Sequence, residues 1–416
     1  MRSGPMDTTT FLKTKVLKKI ESLEDRMIRV SSTIHGYAEL GTKEAKSSAL
    51  LCAELSKQGF RVEKGVAGVR NSFKAVMRCK PGPSVALLAE YDALPEIGHG
   101  CGHNIIGTSA TFAAIGLSAI KESLRGSVVV LGTPDEEGLG GKIPMLEKGA
   151  FNGIDAVIEN HPFVRNAPWW PTVALGDLIV QLEGREAHYA TPQKGANALD
   201  GAVAILSAVN ILRHGFRPDV LIGYTLNADS MTPVIVPARA TLHITLKATD
   251  IGYLRFVVER IKKCVNGISK SVGLDAKITD AFDTNLCYEE SVPNITLIDA
   301  VNRNFAELGV TAEAPEESIR FRSFYSTDYG NVSRRLPGTN FAIAIARRGI
   351  SLHTPEFARA AISRRGHAAL VTAAKVMAMT TIDLLNEPGT LTKAKNEFRK
   401  YQSNGFRHLP LQPIFD

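Results

Sequence analysis

From about Thr172 the chain reads strand (LGDLIVQLEG), helix (NALDGAVAILSAVNILRHG), strand (DVLIGYTLNAD), strand (ARATLHITLKATD), helix (YLRFVVERIKKCVNG) and strand (LDAKITDAF). This βαββαβ order is the ferredoxin-like pattern, which folds as a unit of its own. It constrains the whole chain because its flanks obey a different rule. Before it, SVALLAEYDALP from Ser84, SVVVLGTPDEEG from Ser127 and DAVIENHP from Asp155 each run an apolar strand into a loop, with a helix between the first two. After about Leu286 the alternation resumes with the helix ITLIDAVNRNFAEL, the strand FAIAIA and the apolar helix ALVTAAKVMAMTTIDLL. Strands alternating with helices make a mainly parallel sheet. The expected fold class is therefore α/β, a mainly parallel sheet with helices on both faces, interrupted by an inserted ferredoxin-like α+β domain. The boundaries predicted are 1–171 and 285–416 for the two parts of the interrupted domain and 172–284 for the insert. Helical periodicity further predicts helices over residues 10–31 and 48–59, and the polar, Pro-spaced tail after Asn386 reads as loosely packed.

Length agrees with two domains, since 416 residues exceed what one core of roughly 250–300 residues can organise. A charged fraction of 22% beside an apolar fraction of 44% excludes a disordered or fibrous chain. The net charge of +7 comes from 49 basic residues scattered among 42 acidic ones, without a basic block or interleaved aromatics, so no nucleic-acid partner is expected. Five cysteines without a CxxC pair, and no apolar leader at the start, predict a chain without a disulfide framework in the reducing cytoplasm. No apolar run reads as a membrane span, so no membrane partner is expected.

Chemistry-bearing side chains gather in four loops: GHGCGHN at 98–104, TPDEEG at 133–138, ENHP at 159–162 and LHTP at 352–355. Three of these follow predicted strands, and α/β sheets bind ligands beyond their strand C-termini. Cys101, His103, Glu137, His161 and His353 offer thiolate, imidazole and carboxylate, a mixture suited to zinc or to manganese, cobalt or nickel. One histidine alone is usually an ordinary surface or core residue; their joint placement on successive loops is what points to metal. Glu136 and Glu137 repel each other unless a cation or a proton shuttle uses them. A rival reading makes Cys101 a nucleophile with His103 as its base, but Gly100 and Gly102 describe a tight loop wrapping an ion at least as well. GLGGK is not a phosphate loop, because Lys142 is followed by Ile143 rather than Ser or Thr.

Together AEYDALPEIGHGCGHN, GTPDEEG with GGKIPMLEKGAF, ENHP, STDYGNVS and LHTPEF resemble the M20 metallopeptidase family, and within it the amidohydrolase branch of aminobenzoyl-glutamate hydrolase and peptidase M20 domain-containing protein 2. The likeness runs over residues 34–361. It implies an enzyme that hydrolyses an amide bond in a small N-acyl amino acid or dipeptide-like substrate, with two divalent metal ions, zinc foremost. Cys101, His103, Glu137, His161 and His353 match the family's ligand positions, Glu136 its general base for a metal-activated water, and Asp92 the aspartate supporting the metal site. His188 in GREAHYA matches a histidine that reaches into the neighbouring subunit's site to stabilise an oxyanion. The resemblance thus makes the insert a lid and the contact of a homodimer. The chain departs from the family where relatives bind the substrate carboxylate: TPVIVP puts Val234 where an Asn is usual, and ITLKAT puts Lys247 where an Arg is usual. Neither replaces its counterpart's hydrogen bonds, so the expected substrate has a bulkier or less acidic acceptor half than an ordinary dipeptide. Two other uses of such a scaffold are non-hydrolytic carbonyl chemistry, in carbon–carbon cleavage or acyl transfer, and silent binding without catalysis.

Overall fold

After three helices, Thr8–Glu21, Glu24–Tyr37 and Ala45–Ser56, come the strands β1 (Arg61–Lys64), β2 (Phe73–Arg78), β3 (Lys80–Ala89), β4 (Arg125–Gly132) and β5 (Ala156–Phe163). Six more follow in the middle, β6 (Ala174–Glu183), β7 (Ala187–His188), β8 (Leu221–Ala228), β9 (Ile235–Val236), β10 (Arg239–Ala248) and β11 (Asp275–Asp280), before β12 (Gly338–Ala344). The computed structural model describes residues 8–230, 232–321 and 323–406. These divide into two compact units, the first holding residues 8–171, Val292–Phe321 and 331–406, the second Thr172–Ser291 and 323–330.

The first unit is built on a six-stranded sheet of order β1-β2-β4-β3-β5-β12. β4, β3, β5 and β12 run parallel, in register at Val85↔Val128, Val85↔Ala156 and Ile158↔Thr339. Val85 to Ala89 and all of β5 are buried, as continuous apolar runs in a parallel sheet require. β2 and β1 add an antiparallel edge that the sequence reading did not find. Because these four parallel strands share a direction, the loops after β3, β4, β5 and β12 open at one end of the sheet.

Helix His103–Ser118 is buried up to its last residue and packs against helices Thr8–Glu21, Glu24–Tyr37 and Arg364–Asn386. A side chain at Gly107 would place Cβ 2.5 Å from the Glu90 carbonyl oxygen, so this glycine lets the helix lie directly on the strand end. The continuous helix expected over 10–31 is two helices, broken where Leu23 leaves helical geometry at φ −108° and ψ 0°. The break lets Leu12, Val16 and Ile20 bury on one line and Met27, Val30 and Ile34 on another. The tail after Asn386, expected to pack loosely, instead forms helix Pro388–Ser403. Its Leu391, Ala394 and Phe398 are buried, and Glu397 accepts hydrogen bonds from the Ile295 and Thr296 amides that open another helix. Arg364–Asn386 is the one helix among the described residues long and apolar enough to cross a membrane, and 83% of its most apolar stretch is buried inside the protein.

The second unit is an antiparallel sheet of order β11-β6-β10-β8. β6 alternates buried and more exposed positions, so one face is apolar and takes helices Ala198–Arg213 and Ile251–Ser271. Leu178, Val180, Ile205, Leu242, Ile244 and Val257 lie in their shared core. Asn197 and Asp250 cap the two helices, accepting from the amides of Leu199 and Tyr253. Beyond residue 284 the unit continues through the bridge Leu175↔Tyr288 and a 2.8 Å bond from the Thr172 amide to Ser291 Oγ. β7 and β9 form a separate two-stranded ribbon.

Candidate metal centre

Cys101 and His103 enter from the loop after β3, Glu136 and Glu137 from the loop after β4, His161 from the end of β5 and His353 from the loop beyond β12. The glycines of the first loop make this convergence possible. Gly102 sits at φ +75°, and a Cβ there would lie 2.9 Å from Pro162; one on Gly100 would lie 3.0 Å from Leu94 and 3.3 Å from the His353 Cα. His353 itself holds φ 60° and its amide donates to the Gly100 carbonyl at 3.0 Å.

Three overlapping triads result: Cys101, His103 and His161; Cys101, Glu137 and His353; His103, Glu136 and Glu137. In each, the ligand atoms lie within 4.8 Å of one another. Two of the imidazoles are oriented for coordination. His103 Nδ1 donates to Asp92 Oδ1 at 2.8 Å and His161 Nδ1 to the Pro162 carbonyl at 2.8 Å, which turns both Nε2 atoms inward. Trp170 stacks on the His161 ring at a centroid distance of 4.0 Å and fixes its plane. Asp92 serves twice, since its Oδ2 accepts the Glu137 amide at 2.9 Å.

Metal fits this donor set. His103 Nε2 and Glu137 Oε1 are buried and lack a hydrogen-bond partner, a costly state that a cation relieves. Burial, reinforced by Glu137, pushes the Cys101 thiol well above its ordinary range, so a free nucleophilic thiolate is disfavoured and ionisation calls for a cation. Although burial opposes it, Asp92 and Glu90 hold the His103 imidazole well above the usual histidine range, a measure of the negative charge gathered there. Burial drives His161 down to about 4 and keeps it neutral, as a ligand must be.

Three charged neighbours escaped the sequence reading. Lys142 is fully buried, bonded to Glu90 and 3.5 Å from Glu159. Glu90 Oε2 lies 3.3 Å from His103 Nε2; burial raises its carboxyl, but Lys142 and His103 outweigh that and hold it at about 2. Only the place of Glu90, two residues before Asp92, hinted at a role.

His188, Val234 and Lys247 belong to the second unit. His188 is exposed at the end of β7, where the Ala190 amide donates to its Nδ1 at 3.0 Å; the neutral ring then carries its proton on Nε2. Val234 is 50% exposed, and its carbonyl accepts the Tyr189 amide at 3.0 Å. Lys247 is half-buried and its Nζ donates to the Phe324 carbonyl at 2.9 Å.

The model of Peptidase family M20/M25/M40 matches residues 86–382. The Xaa-Arg dipeptidase of Mus musculus is 31% identical over 404 residues, covering 93% of this chain and 92% of that protein. A p-aminobenzoyl-glutamate hydrolase subunit of Escherichia coli is 26% identical, covering 94% of this chain and 96% of that protein. A solved Bacillus subtilis structure, described as a dinuclear metal binding peptidase from the M20 family, superposes with a TM-score of 0.67 at 18% identity over 88% of this chain and 99% of that one.

Proposed function

The chain belongs to peptidase family M20/M25/M40, and from that premise we infer that it is a metal-dependent hydrolase of the amide bond in dipeptides or N-acyl amino acids. The observation that carries this reading is the convergence of one thiol, three imidazoles and two carboxylates in triads that share Cys101 or His103. Cys101, His103 and His161 would hold one divalent cation and Cys101, Glu137 and His353 a second, with zinc the ion best suited to thiolate and imidazole together. Bound there, the cations polarise the amide carbonyl and acidify water. Asp92 fixes the His103 tautomer and the Glu137 backbone at once. Glu136 takes a proton from the attacking water and returns it to the leaving nitrogen, which would otherwise depart as an amine anion.

His188 supplies an Nε2 donor for the oxyanion, from the second unit of a neighbouring copy. Support for a homodimer comes from that unit's own surface: edge strand β8 exposes Leu221 and Tyr224, and helix Ala198–Arg213 exposes Val203 and Ile211. An apolar open sheet edge invites pairing. The same unit is read as an inserted lid. Val234 and Lys247 form its substrate face, where Lys247 meets a carboxylate as a point charge rather than a fork. Among dipeptides, those ending in arginine come first, because the relative aligned over 93% of the chain is named for them. The working place of the enzyme is the cytoplasm, where Cys101 stays reduced.

The test is hydrolysis of dipeptides and N-acyl amino acids by the metal-loaded protein and by Glu136→Gln. The substitution is expected to lower kcat by about 10²- to 10⁴-fold with bound metal unchanged. Chelation abolishes turnover and added metal restores it. Equal activity in the variant and the parent protein sinks the mechanism.

A further inference from the structure

We propose that Glu44, which lies outside every motif named above, is a positioning residue for Glu136: it grips the backbone amide of Asp135 and so fixes the turn from which Glu136 is presented. The inference rests on the reading of Glu136 as general base. Asp135 stands at φ 63°, a left-handed conformation that a residue other than glycine keeps only when its surroundings hold it. Two buried carboxylates do the holding. Glu44 Oε1 accepts the Asp135 amide at 2.7 Å, and Asp92 Oδ2 accepts the Glu137 amide at 2.9 Å. Glu136 lies between the two clamped amides, so its Cα cannot swing without breaking one of them. The turn closes on itself as the amides of Gly140 and Gly141 donate to the Asp135 carbonyl at 2.9 and 3.2 Å.

Glu44 is equipped for this. Its side chain is fully buried just ahead of helix Ala45–Ser56. Its second oxygen accepts Asn71 Nδ2 at 3.1 Å, while the same Nδ2 donates to the Thr42 carbonyl at 3.0 Å and Tyr91 Oη donates to the Asn71 carbonyl at 2.6 Å. Both oxygens are therefore aimed by donors, on a base pinned at three points of the chain. Gly41 lets this segment close on the loop: a Cβ there would fall 1.9 Å from Asp135 Oδ1. Burying a carboxyl is costly, and a single acceptor would satisfy one amide; what the carboxyl adds is a second oxygen held by Asn71 Nδ2, so that the first stays aimed at the Asp135 amide beside the reacting side chain. Misplacement of a catalytic group by an ångström costs about a hundredfold in rate.

The experiment compares Glu44→Ala and Glu44→Gln with the parent protein, all loaded with metal. Its readouts are kcat and KM separately, bound metal, and hydrogen exchange of the Asp135 amide. Glu44→Ala is expected to lose about ten- to a hundredfold in kcat with KM and metal content unchanged, and to exchange Asp135 faster. Glu44→Gln keeps an acceptor oxygen and recovers part of the loss. Parental kcat in Glu44→Ala, a loss seen in KM or metal content instead, or unaltered exchange at Asp135 overturns the proposal. Should Glu44→Ala not fold, Glu44→Gln decides alone, since parental kcat and exchange in that variant overturn it equally. An active Glu136→Gln would remove the catalytic reading, and exchange at Asp135 would still report whether Glu44 holds the turn.

Discussion

Lys142 lies between Glu90 and Glu159, all three being buried. Replacing it by methionine keeps most of the volume but removes the ammonium that Glu90 and Glu159 face. Such a loss of one buried partner costs about 3–5 kcal/mol, so Lys142→Met should unfold at a clearly lower urea midpoint, and an unchanged midpoint would refute the charge argument. Glu44 gives a prediction of opposite sign. Burial pushes its carboxyl from 4.5 up to about 7 in the chain without metal. The folded state thus keeps a proton that the unfolded chain gives up, and this contribution, complete below about pH 4.5, is lost as pH rises through about 7, a change of about 3 kcal/mol. Urea titrations of the chelated protein should show that slope, and Glu44→Gln should flatten it. Both residues illustrate what could not be read beforehand. Cys101, His103, Glu136, Glu137, His161 and His353 were legible because their residue types are metal-like and their loops end strands. Glu44 and Lys142 act on a backbone amide and on distant carboxylates, partners set by tertiary contact that leave no local pattern.

At the scale of elements, the strands buried on both faces were the readable ones, since β3, β4, β5 and β12 are apolar runs ended by loops. β1 escaped because the edge strand RVEK, mostly exposed, carries no apolar signal, and β2 because FKAVMR buries only alternate positions of a six-residue strand, a short signal. Helix Pro388–Ser403 escaped because three buried residues are diluted among lysines and other polar residues. The break at Leu23 was equally invisible, because apolar spacing persists across it while the direction of the chain changes. The packing of helix His103–Ser118 on the end of β3 gives a test at this scale. Gly107→Ala improves helix propensity by about 1 kcal/mol, yet forces a Cβ to within 2.5 Å of the Glu90 carbonyl, a backbone atom that cannot rotate away. Overpacking of this kind costs about 1–3 kcal/mol. The variant should therefore melt below the parent and bind metal less well, because Glu90 and Asp92 shift with the strand end. A stabilised Gly107→Ala would show that the contact relaxes freely.

For the whole molecule, the proposal that His188 serves a neighbouring copy makes a demand no monomer can meet. A chain carrying Glu136→Ala keeps a working His188, and a chain carrying His188→Ala keeps a working Glu136, while each alone is expected to be nearly inactive. In a mixed dimer, the site that retains Glu136 receives the intact His188 of the other chain, and the second site lacks both. Half of randomly assorted dimers are mixed, and each has one whole site, so co-refolded equimolar chains should reach about a quarter of the parental activity. Disrupting the apolar edge with Tyr224→Lys and Ile211→Asp should abolish the recovery and halve the sedimenting mass. If His188 instead works within its own chain, every site in the mixture lacks one of the two groups, and the activity stays at the level of the single variants.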